Sequence, residues 1–437
     1  MDKSDLSSEQ IHYIFQNTDD AVCIISPNGK LLYANPSTEK LFNISADETI
    51  VIWEAIPFVM GNDDLVQLFI DAVINKMSSH EDIVDYYDNE ENLHQLHVRI
   101  TWYKDDIEAY LIVITDLTKL FKVSSAFARY TSADIAEYVL ETPEGEKRGG
   151  QSKEVTILMS DLRGFTALSA GIEPDALIDI LNHYFEIMSE IIGKNKGTII
   201  EFLGDGIFVV FGAPKTLSDH ASLAVKCAIE MENAMIEVNN WNKENGYPEL
   251  EMGIGINSGH AIVGNIGSEK KMKYGCMGPT VNLAGRVESL TVGGQIYISE
   301  HTKKLIPEEI EIKSEVSILP KGASEKIKIY ETEGIGETVL RISSDDIQWI
   351  ENYQQFNCSF YKLEEKTVEE KKFEGRLLTV SADKKYGLFN TDIELEDKMN
   401  LMLIINDEQV YAKVLARTED GYRIRFTGGK RSEIPSN

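Results

Sequence analysis

The first 118 residues alternate short apolar runs with polar turns, as a mixed sheet-and-helix domain does. The run AVCIISPNGKLLYANPSTEKLFN (21–43) predicts a strand, a tight turn at Asn28-Gly29, a second strand and a short helix. The runs LHQLHVRITWY and IEAYLIVITDLT predict two long antiparallel strands around a polar turn at 104–106. His80 follows an apolar helical segment, and we interpret it as a surface histidine at a helix end rather than a haem ligand.

Residues 119–150 predict a helical connector. The segment KLFKVSSAFARY has an apolar stripe made of Leu120, Phe121, Phe127 and Tyr130. A second helix is expected from TSADIAEYVLE, with Thr131 or Ser132 as its cap, and TPEGEKRGG ends it. Such a connector packs either against its twin in a dimer or on its own domain.

The next segment predicts a strand, a helix and a hairpin in that order. The apolar run EVTILMSDLRGFTAL (154–168) forms a strand that ends at Asp161, and the helix that follows has Pro174 in its first turn. The run GTIIEFLGDGIFVVFGAP (197–214) predicts two strands with Asp205 in the turn between them. A right-handed crossover makes the strands before the two aspartates parallel, so Asp161 and Asp205 are expected at one edge of the sheet.

The last hundred residues, 340–437, contain several short strands with polar turns and predict a small β-barrel.

In composition the 437-residue chain is that of an ordinary globular protein, with 43% hydrophobic residues. Four cysteines lie far apart, which predicts reduced thiols and a cytoplasmic protein. A formal net charge of −29 argues against nucleic acid and anionic membrane as partners. No apolar run approaches the roughly 20 residues that span a bilayer.

Two groups of polar residues indicate a catalytic site. Asp161 and Asp205 together are suited to hard cations such as Mg²⁺ or Mn²⁺, whereas either one alone is more typical of a solvated turn aspartate. In KYGCMGPTVNLAGRVESL (273–290), a loop that becomes a helix, Asn282 and Arg286 are four residues apart and share one helical face. The planar fork of an arginine is suited to phosphate.

In the order of their motifs SDLRGFT, LGDG and NLAGR, residues 151–335 resemble the class III nucleotide cyclase catalytic domain. The resemblance implies an α+β protein with a ferredoxin-like βαββαβ catalytic domain that binds two divalent cations, Mg²⁺ or Mn²⁺, per site. The implied metal-binding residues are Asp161, Leu162 and Asp205. The implied catalytic residues are Asn282 and Arg286. The implied phosphate-binding residues are Arg163, Gly164, Phe165 and Thr166, through main-chain amides, and Lys321.

The flanking segments resemble two further families. Residues 8–118 resemble a PAS sensor domain, for which we expect a small-molecule or protein signal and no cofactor. Residues 340–437 faintly resemble a PilZ domain, a family that binds cyclic di-GMP with an arginine-rich segment and a D-x-S-x-x-G turn. Here the nearest turn is SADKKYG, with Asp383 and Gly387 but no serine at the matching place, and Arg376 is the single arginine close upstream. Cyclic di-GMP binding is therefore not expected, and a regulatory or dimer-stabilising role is favoured.

The base that the site recognises is suggested by Glu201, four residues before Asp205. Family members that use ATP usually have a lysine there, which donates to adenine N1. An ionised carboxylate can only accept, which suits the N1–H and amine of guanine. In the family, a second base-reading position lies seven residues before the asparagine that matches Asn282, which corresponds to Gly275, or to Cys276 after a one-residue shift of the loop. Neither residue offers the acceptor that adenine requires.

The sequence therefore predicts a sensor-regulated, homodimeric guanylate cyclase that converts GTP to cyclic GMP and pyrophosphate. In the family, the metal aspartates come from one chain, and Asn282 and Arg286 from the other. Two alternatives stay open at this point: an adenylate cyclase that uses ATP, and a catalytically silent scaffold that only binds nucleotide.

Overall fold

The structure is a computed structural model. The residues that this structure describes are 7–45, 50–59, 61–75, 79–104, 108–145, 147–169, 171–318, 326–341, 347–364, 367–429 and 434–435. The chain divides into two compact units, residues 1–130 and 131–437, and each is described by itself.

The first unit is built on a five-stranded antiparallel sheet in the order β2-β1-β5-β4-β3. Its elements are α1 (Ser8–Gln16), β1 (Ala21–Ile25), β2 (Leu31–Ala34), α2 (Pro36–Phe42), a 3₁₀ turn (Ile52–Glu54), α3 (Asp63–Ile74), β3 (Ser79–Tyr87), β4 (Leu93–Lys104), β5 (Glu108–Asp116) and α4 (Thr118–Tyr130). Apolar side chains of α2 and α3, including Phe42 and Phe69, pack on one face of this sheet. The predicted turn is present, and Gly29 adopts the positive φ of +81° that favours glycine.

Three predictions for this unit, for His80, the turn at 104–106 and the apolar stripe on α4, have different outcomes. His80 lies within β3, opposite Ile100 of β4, so its assignment to a helix end is wrong. The apolar run before it does form α3, but the chain enters the sheet one residue before the histidine. Most of the predicted 104–106 turn lies outside the described residues. On α4, Leu120 and Tyr130 are 62% and 90% exposed, so a dimer contact of this stripe stays a prediction.

The second unit begins with the catalytic sheet and its helices. Its elements up to residue 339 are α5 (Ala133–Glu141), β6 (Gly149–Leu162), α6 (Phe165–Ser169), α7 (Pro174–Lys194), β7 (Thr198–Leu203), β8 (Gly206–Phe211), α8 (His220–Glu244), β9 (Met252–Ser268), β10 (Lys271–Met277), α9 (Pro279–Ser289), β11 (Gln295–Ser299), α10 (Glu300–Leu305), β12 (Ile310–Ile318), β13 (Ile327–Ile335) and β14 (Thr338–Val339). The main path of the sheet is β12-β13-β11-β9-β6-β8-β7, with β10 paired to β9.

The order of this sheet confirms the ferredoxin-like βαββαβ fold, in which β6, β7, β8 and β9 are arranged β9-β6-β8-β7. Both β6 and β7 pair antiparallel with β8, so β6 and β7 run parallel, as expected, with β8 between them. One face is covered by α7 and α8, whose apolar residues, such as Tyr184 and Met231, are fully buried. The opposite face is covered in part by α5, because Ile135 packs with Val155 and Tyr274.

The segment 273–277 differs from its prediction as a loop. It lies in β10, which pairs with β9 so that Gly275 faces Gly264 and Cys276 faces Val263. The prediction of a loop was wrong because Gly275 and the nearby Gly278-Pro279 are typical of turns, although Met272, Tyr274 and Cys276 alternate with polar or small residues as in a strand. The helix of this segment begins at Pro279, in the first turn that proline favours.

The C-terminal residues form the predicted barrel, which is closed in the order β15-β16-β17-β20-β19-β18. Its strands are β15 (Phe356–Glu364), β16 (Thr367–Val380), β17 (Tyr386–Asn390), β18 (Asn400–Ile405), β19 (Glu408–Arg417) and β20 (Tyr422–Gly429). Phe360, Leu403 and Phe426 are fully buried in its core. Arg376 donates to Asn357, and Asp383 accepts from the amide of Lys385, so both take part in contacts within the barrel.

Candidate active site

The two predicted metal-binding aspartates lie together at the end of β6 and in the β7–β8 turn. The pairing of β6 with β8 places Ser160 opposite Ile207, beside this turn. A Cβ at Gly206 would lie 2.7 Å from the carbonyl oxygen of Ser160 and 3.7 Å from Oδ1 of Asp161, so the close approach requires glycine. Gly204 supplies the positive φ, +70°, that turns the chain.

The electrostatics of Asp205 agree with this placement. Its pKa is raised, first by burial and then by the negative charge of Asp161, while the amide of Leu162 donates to the carboxylate and opposes the shift. Two carboxylates that share a partly buried site are stabilised by a divalent cation. The donor set therefore fits a hard cation. The side chain of Leu162 is apolar and buried, so this residue has only a main-chain carbonyl to offer a metal.

Arg163 is placed differently from its expected role as a phosphate-binding amide. Its amide donates to the carbonyl oxygen of Glu251 at 2.7 Å, so it is already used within the fold. The guanidinium is largely buried, lies 3.6 Å from Asp161 and forms an ion pair with Glu288 of α9. Burial lowers the pKa of Arg163. Arg163 thus connects a metal-binding aspartate to the catalytic helix.

The other three expected phosphate-binding residues of this loop, Gly164, Phe165 and Thr166, come directly after Arg163 in the sequence. Gly164 has a φ of +72°, and Phe165, which is 7% exposed, anchors the start of α6. The amides of Gly164, Phe165 and Thr166 precede the first intrahelical hydrogen bonds of α6 and stay the predicted phosphate donors. Lys321 lies outside the described residues.

Helix α9 presents the predicted catalytic pair on one face. Ala284 and Val287 are fully buried against the sheet, and Gly285 lies close to Met159, since a Cβ there would be 3.3 Å from its sulfur. On the other face Asn282 is exposed and Arg286 is half-buried. Their four-residue spacing thus gives two neighbouring side chains directed away from the sheet.

Glu201 lies on β7, and the alternation of side chains along β10 indicates whether Gly275 or Cys276 faces it. Lys273 of β10 places its Nζ 2.6 Å from Oε2 of Glu201. Side chains alternate along a strand, so Gly275 shares the face of Lys273, whereas Cys276 lies on the opposite face with Tyr274. Cys276 is 8% exposed and packs in the same apolar cluster as Ile135 and Val155, and burial raises the pKa of its thiol to about 12. The geometry therefore favours Gly275 over Cys276 as the neighbour of Glu201.

Sequence reasoning missed several residues of this region. Lys273 was predicted in a loop, and the strand alternation that places it beside Gly275 was not recognised. Glu251 and Glu288, which hold the amide and the side chain of Arg163, lie far away in the sequence and had no local signal.

A ferredoxin-like sheet with two convergent aspartates, next to a helix with an Asn–Arg pair, is the arrangement of a nucleotide cyclase catalytic domain. Residues 149–334 match the family model of the adenylate and guanylate cyclase catalytic domain, and residues 19–119 match that of a PAS domain. The chain therefore contains a class III cyclase catalytic domain of this family, preceded by a PAS domain. Among the described residues, no helix combines the length and the apolar character that crossing a membrane requires.

Curated relatives are similar over the catalytic region. Adenylate cyclase 1 of Rhizobium meliloti (strain 1021) is 30% identical over 215 residues, which are 49% of this chain and 32% of that protein. The adenylate cyclase of Anabaena cylindrica is 30% identical over 226 residues, or 49% and 44% of the two chains. The chain thus spans less than half the length of both relatives.

Solved structures of both substrate types are similar to the same region. The guanylyl cyclase Cya2 is 47% identical, with a TM-score of 0.43, and the match covers 44% of this chain and 96% of that one. The adenylyl cyclase CyaB from P. aeruginosa is 38% identical, with a TM-score of 0.42, and the match covers 44% and 100%. These relatives leave the choice between GTP and ATP open.

Proposed function

We propose that the protein is a homodimeric guanylate cyclase that converts GTP to 3′,5′-cyclic GMP and pyrophosphate under the control of its PAS domain. The observation that supports the choice of GTP is the position of Glu201 on β7, with Gly275 on β10, the strand whose Lys273 contacts Glu201. A carboxylate accepts from the N1–H and amine of guanine and repels the acceptor N1 of adenine. Gly275 offers no side-chain acceptor for the adenine amine. One carboxylate oxygen of Glu201 pairs with Lys273, and a carboxylate has a second oxygen for the base.

In the proposed reaction, the 3′-hydroxyl of GTP attacks the α-phosphate and pyrophosphate leaves. Asp161 and Asp205 would hold two Mg²⁺ or Mn²⁺ ions, which would lower the pKa of the hydroxyl and neutralise charge on the triphosphate. Asn282 would orient the ribose. Arg286 would stabilise the negative charge that develops at the α-phosphate. This charge stabilisation and positioning account for catalysis without a histidine base.

A site shared between two chains is supported by exposed apolar side chains near the candidate residues. Phe202 and Leu203, which precede Asp205, are 44% and 51% exposed. Met272 and Met277 at the two ends of β10 are 42% and 44% exposed. A second copy of the chain would cover such side chains and bring Asn282 and Arg286 of one protomer to the aspartates of the other. A signal at the PAS domain would need only a few kcal/mol to bias how the two catalytic domains meet.

Lys273 favours a second candidate, an adenylate cyclase. Its ammonium lies beside Glu201 and is half-exposed, so it is a donor that adenine N1 can meet in place of the missing lysine. The names of the curated relatives point the same way. Lys273→Met separates the two proposals: it should lower ATP turnover if Lys273 recognises adenine, and leave the preference for GTP intact if Glu201 recognises guanine.

The proposal is tested by incubating the purified full-length protein with GTP or ATP and Mg²⁺ or Mn²⁺, and by identifying the products with chromatography and mass spectrometry. Cyclic GMP from GTP is expected, with none from the matched Asp205→Ala control. Cyclic AMP alone would favour the second candidate. A folded dimer that forms no cyclic nucleotide from either substrate would identify the protein as a silent scaffold.

A further inference from the structure

The C-terminal barrel packs against the catalytic domain through a buried lysine. Lys413 of β19 is 3% exposed, and its Nζ donates to the carbonyl oxygens of Ser289 and Thr291, the latter at 2.9 Å. Ser289 is the last residue of α9, and Thr291 follows in the turn after it. A side chain of the barrel therefore binds the C-terminal end of the helix that presents Asn282 and Arg286.

This contact is suited to fixing the helix. The last carbonyls of an α-helix have no intrahelical partner, and the helix dipole places partial negative charge there. A lysine ammonium offers three donors and a positive charge at that point. Arg286 lies three residues before Ser289, less than one turn of helix, so a displaced helix end displaces the guanidinium directly.

The barrel also contacts the loop that follows Asp161. Lys385 and Arg425 each lie 3.1 Å from a carboxylate oxygen of Glu251, whose carbonyl accepts the amide of Arg163. A Cβ at Gly428 of β20 would lie 2.9 Å from the Cα of Gly164, so the two backbones touch. The barrel thus contacts both the C-terminal end of α9, which presents Asn282 and Arg286, and the loop that follows the proposed metal-binding residue Asp161.

We propose that Lys413 is a positioning residue of the cyclisation reaction, which holds α9 so that Arg286 and Asn282 meet the nucleotide. The barrel is then part of the catalytic unit, and not only an appended domain. This inference rests on the proposed function, because it assigns Arg286 to the reacting phosphate. A merely structural role of Lys413 would affect stability and leave the turnover of the folded protein unchanged.

The test compares Lys413→Met with Lys362→Met in the full-length protein. Methionine preserves the length of the side chain and removes all three donors. Lys362 is the matched control, because its Nζ contacts the carbonyl oxygen of Glu394 within the barrel. For Lys413→Met we expect kcat for cyclic GMP formation to fall about tenfold to a hundredfold with KM within threefold, since small misplacements of a catalytic group have effects of this size. If Lys413→Met does not fold, the shorter Lys413→Gln replaces it.

A mixing experiment identifies which half of the shared site Lys413 supports. Lys413→Met chains mixed with inactive Asp161→Ala chains should recover activity, because one composite site then has intact metal ligands and an intact α9. Lys413→Met chains mixed with Arg286→Ala chains should not recover activity above the level of Lys413→Met alone. Recovery with Arg286→Ala but not with Asp161→Ala would overturn the assignment, as would a kcat within twofold of that of Lys362→Met.

Hydrogen–deuterium exchange provides a readout that needs no activity. The last turn of α9 should exchange faster in Lys413→Met than in Lys362→Met, while the barrel strands exchange alike in both. Unchanged exchange there would refute the contact itself. Absence of turnover from GTP and ATP in the wild-type protein would refute the proposed function, and exchange would still decide whether Lys413 fixes the helix.

Discussion

Replacing Glu201 by lysine and Gly275 by aspartate together should move the substrate preference from GTP towards ATP. The introduced lysine would donate to adenine N1, and the introduced aspartate would accept from the adenine amine. Guanine would lose the acceptor for its N1–H and face an ammonium instead. Glu201→Lys alone should mainly abolish the use of GTP.

The structure has room for an aspartate at position 275, and it indicates that Glu201→Lys is best tolerated together with that aspartate. Gly275 does not have a positive φ, and a Cβ there would lie 3.2 Å from Cδ1 of Ile266, the end of a flexible side chain. Lys273 now lies 2.6 Å from the carboxylate of Glu201, so a lysine at position 201 would meet a second ammonium. Repulsion between two such charges at about 4 Å costs about 1 kcal/mol in water. The aspartate at position 275, on the same strand face as Lys273, offsets it.

The size of the effect follows from the number of hydrogen bonds exchanged. A hydrogen bond to a charged group contributes about 1.5–3 kcal/mol. Glu201 is 48% exposed before substrate binds, so values near the lower end apply. Two exchanged contacts then amount to about 3–4 kcal/mol, and the ratio of GTP to ATP turnover should change about 10²- to 10³-fold.

The assay measures cyclic GMP and cyclic AMP formed from an equimolar mixture of GTP and ATP by wild-type and doubly substituted protein. Gly275→Asp alone is the matched control for changes in the hairpin. The claim that Glu201 recognises the base fails if the product ratio of the double variant equals that of the wild type while total turnover is retained.

Three further predictions concern other parts of the catalytic domain. Asp161→Ala or Asp205→Ala should abolish turnover and leave the melting temperature near that of the wild type, and full activity of either variant at saturating Mn²⁺ would contradict the metal assignment. Inactive Asp161→Ala chains mixed with inactive Arg286→Ala chains should regain partial activity, and a silent mixture with proven heterodimers would argue against a shared site. Glu232 is buried, its Oε1 has no hydrogen-bond partner among the described residues, and desolvation raises its pKa well above the usual value. The free energy of unfolding therefore falls as pH rises from the unfolded towards the folded pKa. Glu232→Gln should therefore raise the melting temperature at pH 8 and change it little at pH 5, and an equal change at both would contradict a raised pKa.

The sequence was sufficient to predict those parts of the site that depend on local patterns. Asp161 follows an apolar strand and Asp205 lies in a glycine turn, and the handedness of the crossover brings the two together. Asn282 and Arg286 share a face because helical periodicity is regular. The closed barrel was likewise predictable from alternating strands with polar turns.

Contacts between distant segments could not be predicted in this way. The amide of Arg163 bonds to Glu251, and Lys413 binds the end of α9 from more than a hundred residues away. The first contact continues the pairing of β6 with β9, in which Leu162 faces Met252, and the second depends on how the barrel packs on the catalytic domain. No local periodicity specifies either contact. The strand that contains Lys273 was not predicted for a different reason: Gly275 and the nearby Gly278-Pro279 are typical of turns, and they outweighed the alternation of Met272, Tyr274 and Cys276.

The central claim, that this cyclase domain acts on GTP, is tested most directly by direct competition between the two nucleotides. The purified full-length protein is given equimolar GTP and ATP with Mg²⁺, and cyclic GMP and cyclic AMP are quantified together at early times. The account predicts that cyclic GMP exceeds cyclic AMP by at least about tenfold, as one charge-assisted hydrogen bond to guanine would produce. A product mixture dominated by cyclic AMP would contradict it.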